Sequence, residues 1–217
     1  MLKLYSYWRS TAAYRVRAAL NIKRLSYSII PIHLVKDGGE QHKPEYAEKN
    51  PQELVPLLDD NGKLLSQSMA ICEYLDDVYD GPSLLPSEPF LKAKVRSVCQ
   101  IIACDIHPLD NLRVLQYLKG ELNVSDEQKD TWYAHWIIKG FTAIERMLKD
   151  YQSQGPFCFG EELTLADVFL VSQIYNARRF NVDLSDFPRL VEIEQHCLTL
   201  DAFKDAKPEA QPDAVIQ

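Results

Sequence analysis

Residues 2 to 32 read LKLYSYWRSTAAYRVRAALNIKRLSYSIIPI, and the hydrophobic period changes twice along them. Residues 2–7 alternate as a half-buried strand does, whereas Val16, Ala19 and Leu20 fall at helical spacing. Ser10 and Thr11 carry hydroxyls of the kind that cap a first turn, so a helix is predicted to open there. Tyr27 to Ile32 returns to strand character, which makes the stretch a β-α-β unit. The same residues hold an unusual charge: positions 1–36 contain seven basic side chains and no acid. An arginine-rich, acid-free start can be a targeting peptide, but the strand periodicity reads as folded structure.

Outward from this unit, Gly38 and Gly39 mark a loop, and Pro44 suits the first turn of a short helix. Leu54-Val55-Pro56-Leu57-Leu58, a turn at Asp60-Asn61-Gly62, and Lys63-Leu64-Leu65 read as two strands joined tightly. A helix follows from Gln67-Ser68 to about Tyr79. Residues 80–89 hold Gly81, Pro82, Pro86 and Pro89, which places a domain boundary there and predicts domains 1–80 and 90–217. Everything beyond reads as helix. Phe90 to about Leu118 is a long helix that Pro108 should kink. Ser125 with Gln128 and Thr164 with Asp167 are capping boxes opening further helices. Pro188 opens one more, and the polar tail from Pro208 to Gln217 is expected to fray.

The whole chain has 217 residues, 46% apolar and 25% charged, as an ordinary globular protein does. Net charge is −7, which argues against a nucleic-acid partner. No apolar run approaches the roughly 18 residues of a membrane span. The five cysteines show no Cys-x-x-Cys pair and read as reduced core thiols, which with no signal peptide favours the cytoplasm. The histidines are scattered, so no metal site is expected, and His33 reads as a structural or surface residue.

A small β-α-β and β-β-α unit followed by an all-helical domain is an uncommon combination. The sequence resembles the soluble glutathione transferases, and within them the zeta class. The segments that carry the resemblance are Tyr7 through Arg17, Lys36 through Gly39, Asn50-Pro51 with Val55-Pro56, Gln67-Ser68 ahead of Glu73-Tyr74-Leu75, Asp105 through Pro108, and Gln211-Pro212-Asp213. It implies a thioredoxin-like N-terminal domain, a helical C-terminal domain, a homodimer, and reduced glutathione as cofactor.

Only a few per cent of a free glutathione thiol is ionised at neutral pH, so such a site must stabilise the thiolate. A helix N-terminus in the basic stretch offers unpaired N–H groups and a positive dipole end. Ser10 and Thr11 stand there; either could donate to the sulfur, and either could simply cap the helix. The resemblance puts Ser10 ahead. It also implies that Val55 pairs its backbone with the cysteinyl amide ahead of a cis-proline, and that Gln67 and Ser68 hold the γ-glutamyl carboxylate. Gln41, His107, Asn111, Leu112 and Arg113 match further binding positions. Zeta-type chains often read Ser-Ser-Cys where this one has Ser10-Thr11-Ala12, so no protein thiol is expected at the helix start.

The implied reaction is cis-trans isomerisation of maleylacetoacetate, a dicarboxylate enone, to fumarylacetoacetate in tyrosine and phenylalanine breakdown. Thiolate addition makes the double bond single, rotation follows, and elimination returns glutathione unchanged. Arg9, next to Ser10, and Arg179 are the cationic candidates for the substrate carboxylates and for the developing charge. Alternatives are isomerisation of maleylpyruvate, which Arg113 suits equally, and general transfer of glutathione to electrophiles such as α-haloacids. A scaffold that has lost glutathione is the non-enzymatic alternative.

Overall fold

The computed structural model describes residues 1–151 and 154–215, which form two compact units. The first holds residues 1–84 together with the stretch from Leu198 onward; the second is Leu85–Cys197.

In the first unit, strand β1 (Leu2–Ser6) leads into helix α1 (Thr11–Ile22) and strand β2 (Tyr27–Pro31). β1 and β2 pair in parallel, Leu4 opposite Ile29, as a crossover helix requires. A short helix α2 (Pro44–Ala47) has its proline in the first turn. Strands β3 (Leu57–Asp60) and β4 (Lys63–Ser66) complete a sheet ordered β2-β1-β3-β4, with β3 antiparallel to both neighbours. Their two-residue loop, Asn61-Gly62, has φ of 51° and 92°, the paired positive values of a type I′ hairpin. Leu54, Val55 and Pro56, expected in the strand, precede it, and the Val55-Pro56 peptide is cis. Helix α3 (Ser68–Val78) packs beside α1.

The C-terminal stretch departs from the predicted assignment of 90–217 to a single helical domain. Helix α9 (Asp201–Ala206) buries Phe203 and Ala206 and packs on α1. The tail is anchored: Pro208 and Gln211 are buried, and the Gln211 amide donates to the carbonyls of Asp205 (2.8 Å) and Lys207 (2.7 Å). Only positions 216 and 217 of that tail lie outside the described residues.

α1 is surrounded, with every residue from Thr11 to Leu20 buried. That burial includes Arg15 and Arg17, whose charges require hydrogen-bond partners inside the protein. The Arg17 guanidinium donates to the Ala206 carbonyl (3.0 Å), Ser6 Oγ (3.0 Å) and the carbonyls of Tyr7 (3.5 Å) and Trp8 (3.2 Å).

The second unit is helical: α4 (Pro89–Gln100), α5 (Leu112–Gly120), α6 (Asp126–Asp150), α7 (Leu165–Arg179) and α8 (Pro188–Cys197). The single helix predicted over 90–118 is instead α4, a π-helical turn at Ile101–Ile106, and a restart at α5. Pro108 has no N–H and its ring crowds the preceding turn, which widens until His107 N donates five residues back to Ile102 O at 2.9 Å. Gly140 of α6 lets this turn approach: a Cβ there would lie 2.3 Å from Ile106 Cδ1.

Both capping boxes form. Ser125 Oγ accepts from Gln128 N at 3.1 Å, and Gln128 Oε1 from Ser125 N at 2.8 Å. Asp167 is fully buried and accepts from Cys158 N (2.7 Å), Thr164 N (2.8 Å) and the Thr164 hydroxyl (3.0 Å). It joins the loop at Cys158 to the start of α7. Asp167→Ala leaves three buried donors unsatisfied and is expected to cost about 3 kcal/mol, measured as a fall in urea midpoint with the slope unchanged.

Candidate functional site

The strand register brings the predicted first-unit residues to one end of the sheet. Tyr5 pairs with Leu57, and Leu57 with Ser66, so the exit of β1, the entry of β3 and the exit of β4 lie side by side. Residues 7–11, Val55-Pro56 and Gln67-Ser68 follow or precede those three points.

The Tyr7–Ser10 turn closes with Ser10 N donating to Tyr7 O at 2.9 Å. Ser10 is the N-cap of α1, its Oγ accepting from Ala13 N at 3.1 Å. A hydroxyl has one proton and two acceptor positions, so capping leaves the Ser10 proton available to an external acceptor. Thr11, by contrast, is only 4% exposed within the first turn. Arg9 sits with its guanidinium 4.2 Å from the centre of the Trp8 ring, which fixes the side chain without neutralising it.

At the neighbouring edge, Gln67 adopts φ 72°, ψ 115°, a conformation side-chain residues rarely accept. Strain of this kind costs on the order of 1–3 kcal/mol and clusters where backbone groups must be aimed. α3 starts with no side-chain cap, so its first N–H groups lack that partner. The Gln67 amide donates to Gln52 Oε1 at 2.8 Å, and Ser68 Oγ accepts from the buried Arg15 at 3.3 Å. Gln41 is turned inward, its Nε2 donating to Leu34 O at 3.2 Å. His33 is structural: Nδ1 accepts from Lys36 N at 2.9 Å, and the ring packs on Tyr7.

In the second unit, His107 ends the π-helical turn, Asn111 caps α5 by accepting from Arg113 N at 3.2 Å, and Leu112 is the first helical residue. Arg178 is committed to Glu194 through Nε at 3.0 Å and Nη2 at 2.5 Å. Arg179 beside it is exposed and lies against the Phe180 ring. Among the described residues, Arg9, Arg113 and Arg179 each form no ion pair.

Three of the five thiols are held protonated by burial. Burial pushes the Cys72 thiol up to about 12 and raises those of Cys158 and Cys197 as well, and the first turn of α1 carries Ala12 where a cysteine could have stood. Among the described residues no cluster of His, Cys, Asp and Glu could hold a metal ion, and no helix is long and apolar enough to cross a membrane.

Three residues that sequence reasoning missed shape this region. Arg17 holds the turn carbonyls, Asp213 Oδ2 accepts from Trp8 N at 3.0 Å, and Asp110 is a buried carboxyl. Arg15 and Arg17 inside an apolar stretch were a visible signal; Asp213 stood in a segment that carries the resemblance, but nothing in its neighbourhood pointed to Trp8, some two hundred residues away.

Residues 1–77 match the family described as glutathione S-transferase, N-terminal domain, and residues 111–204 match glutathione S-transferase, C-terminal domain. A probable maleylacetoacetate isomerase of Vibrio cholerae is 50% identical over 213 residues, covering 98% of each chain. A holo structure of maleylpyruvate isomerase, described as a bacterial zeta-class glutathione S-transferase, superposes with a TM-score of 0.95 at 41% identity, over 98% of this chain and 100% of that one. A maleylacetoacetate isomerase from Methylobacterium extorquens AM1, solved with bound malonate and GSH, gives 0.94 at 38% identity, over 99% and 100%. The chain belongs to the glutathione S-transferase family and, within it, to the zeta-class isomerases. The fold expected from the resemblance is the fold found.

Asp110 supplies a pH test. It is 5% exposed, neither carboxylate oxygen has a hydrogen-bond partner among the described residues, and burial raises its pKa to about 8. The unfolded chain releases this proton near pH ~4, so folding stability should fall as the pH rises from about 4 to about 8. Asp110→Asn is neutral throughout. Its gain over the parent in urea unfolding is expected to be larger at about pH 8 than at about pH 5.

Proposed function

We propose that this chain isomerises maleylacetoacetate to fumarylacetoacetate with reduced glutathione as cofactor. The observation that carries the reading is identity along the whole chain: half of the residues match the Vibrio cholerae relative across 98% of both sequences. Bound glutathione supplies the nucleophilic thiolate that opens the cis double bond to rotation, and it is returned unchanged.

The first unit fits such a cofactor. In this reading the Ser10 hydroxyl, already oriented by its cap bond to Ala13 N, donates its proton toward the sulfur, and the first turn of α1 adds its dipole. Thr11 is a lesser contributor because of its burial. The uncapped start of α3, with Gln67 and Ser68, receives the γ-glutamyl carboxylate, and the Val55 backbone receives the cysteinyl amide. Gln41 joins them only if its amide turns from Leu34.

Arg9 is assigned two tasks, holding a substrate carboxylate and stabilising the oxygen on which negative charge develops. An arginine already paired with a carboxylate could do neither. On the second unit, Arg113 and Arg179 are assigned dicarboxylate recognition, with His107, Asn111 and Leu112 as neighbouring cofactor contacts. The protein is proposed to work as a homodimer in the cytoplasm, where its five cysteines, none of them in a disulfide, stay reduced.

Maleylpyruvate is the second reading, favoured by the TM-score of 0.95 to an isomerase of that substrate. The deciding experiment compares isomerisation of enzymatically generated maleylacetoacetate with that of maleylpyruvate, each with and without glutathione. A glutathione-dependent rate on the first alone is expected; absence of a rate on both would overturn the proposal. Arg9→Ala is expected to lower kcat by about 100-fold while leaving glutathione affinity nearly unchanged. Steady-state kinetics beside a glutathione titration measures both.

A further inference from the structure

The backbone of the Tyr7–Ser10 turn is held from two directions. On one side Arg17 donates to the carbonyls of Tyr7 and Trp8. On the other, Asp213 Oδ2 accepts from Trp8 N at 3.0 Å. The N–H and the C=O of Trp8 are therefore both engaged, and the backbone on either side of its Cα cannot rotate without breaking a bond. The next residues in the chain are Arg9 and Ser10.

Asp213 is held by turns within its own end of the chain and by packing against the start of the first unit. Gln211 is tied to the carbonyls of Asp205 and Lys207, and Ala214 N donates to Gln211 O at 3.0 Å, closing a turn around Asp213. Ala214 packs against the cluster of Tyr7, Trp8, Tyr46, Val55 and Leu57. Arg17 is itself bound to Ala206 O, so both holds on the turn lead back to the stretch after residue 198. The second oxygen, Asp213 Oδ1, is buried without a partner. A carboxylate so placed is unfavourable unless its other oxygen makes a bond of value.

We infer that the strap of residues 208–214, acting through the Asp213 to Trp8 bond, is a positioning element that holds Arg9 and Ser10 in working orientation. This rests on the roles assigned to Arg9 and Ser10 above. Asp213 touches no reacting atom; it acts by fixing the backbone ahead of those that do.

The test pairs Asp213→Ala, which removes the acceptor, with Asp213→Asn, which keeps an oxygen for Trp8 N. With Asp213→Ala, the pKa of the bound glutathione thiol, read from thiolate absorbance, should rise by about one unit, and kcat should fall about tenfold. Asp213→Asn should restore both to within about twofold. Tyr79→Phe is the control for stability alone, since it removes a hydrogen bond to Asp60 in the same unit. A lowered melting temperature with unchanged thiol pKa and kcat, as expected for Tyr79→Phe, would overturn the inference if Asp213→Ala showed it.

Amide exchange at Trp8 in the unaltered chain gives a reading that needs no variant to fold. Protection is expected, and exchange at the rate of an open amide would overturn the inference. It also separates the two proposals. A chain that binds no glutathione loses the function proposed above, while Trp8 protection and its loss in Asp213→Ala still decide whether the clasp exists.

Discussion

A guanidinium with no water around it organises the first unit. Arg17 is fully buried, and the hydration its charge gives up has to be replaced by oxygen atoms of the protein. Among those oxygens are Ser6 at the end of β1, Tyr7 and Trp8 in the turn, and Ala206 at the end of α9. Strand end, turn and C-terminal helix are therefore bound by one requirement. The candidate site stands on this arrangement, because the turn is also what opens α1 at Ser10. Carbonyl and hydroxyl dipoles from all three places point at Arg17 and fix its guanidinium relative to the turn.

The same economy of partners distinguishes the arginines that hold structure from those that face outward. Arg178 and Arg179 are adjacent in sequence, yet the first grips Glu194 through two of its nitrogens and the second has no carboxylate. Arg15 and Arg17 are internal, whereas Arg9 lies on an aromatic face. A dicarboxylate substrate calls for cations whose charge is not already spent on the fold, and Arg9, Arg113 and Arg179 meet that condition.

What was legible in the sequence is what a few neighbouring residues decide. The Ser125–Gln128 and Thr164–Asp167 boxes, the Asn61-Gly62 hairpin and the helix opening at Ser10 all form as their spacing predicts. Failures came where distant segments meet. The polar tail reads as frayed because nothing in residues 208–214 announces that Trp8 lacks an acceptor. Locally, the sequence predicts a kink at Pro108 in a helix over 90–118, but not that the chain would absorb the missing N–H as a π-helical turn and a restart at Leu112. At the candidate site, residue types could be named in advance. Accessibility could not: Thr11 is buried, Gln41 faces inward and Asn111 is occupied as a helix cap.

The packing of α9 onto α1, and of the strap onto Trp8 and its cluster, has a consequence for how the chain is made. Domains tend to fold in the order in which they leave the ribosome, but here the first unit is discontinuous. Its opening segment emerges early, the whole second unit is synthesised next, and only then do Ala206 and Asp213 appear. Until that moment Arg17 and Trp8 lack partners that the finished protein supplies. A nascent chain stalled after α8 would still carry an unfinished turn ahead of Ser10, so emergence of residues 201–214 is what lets that turn take its final form.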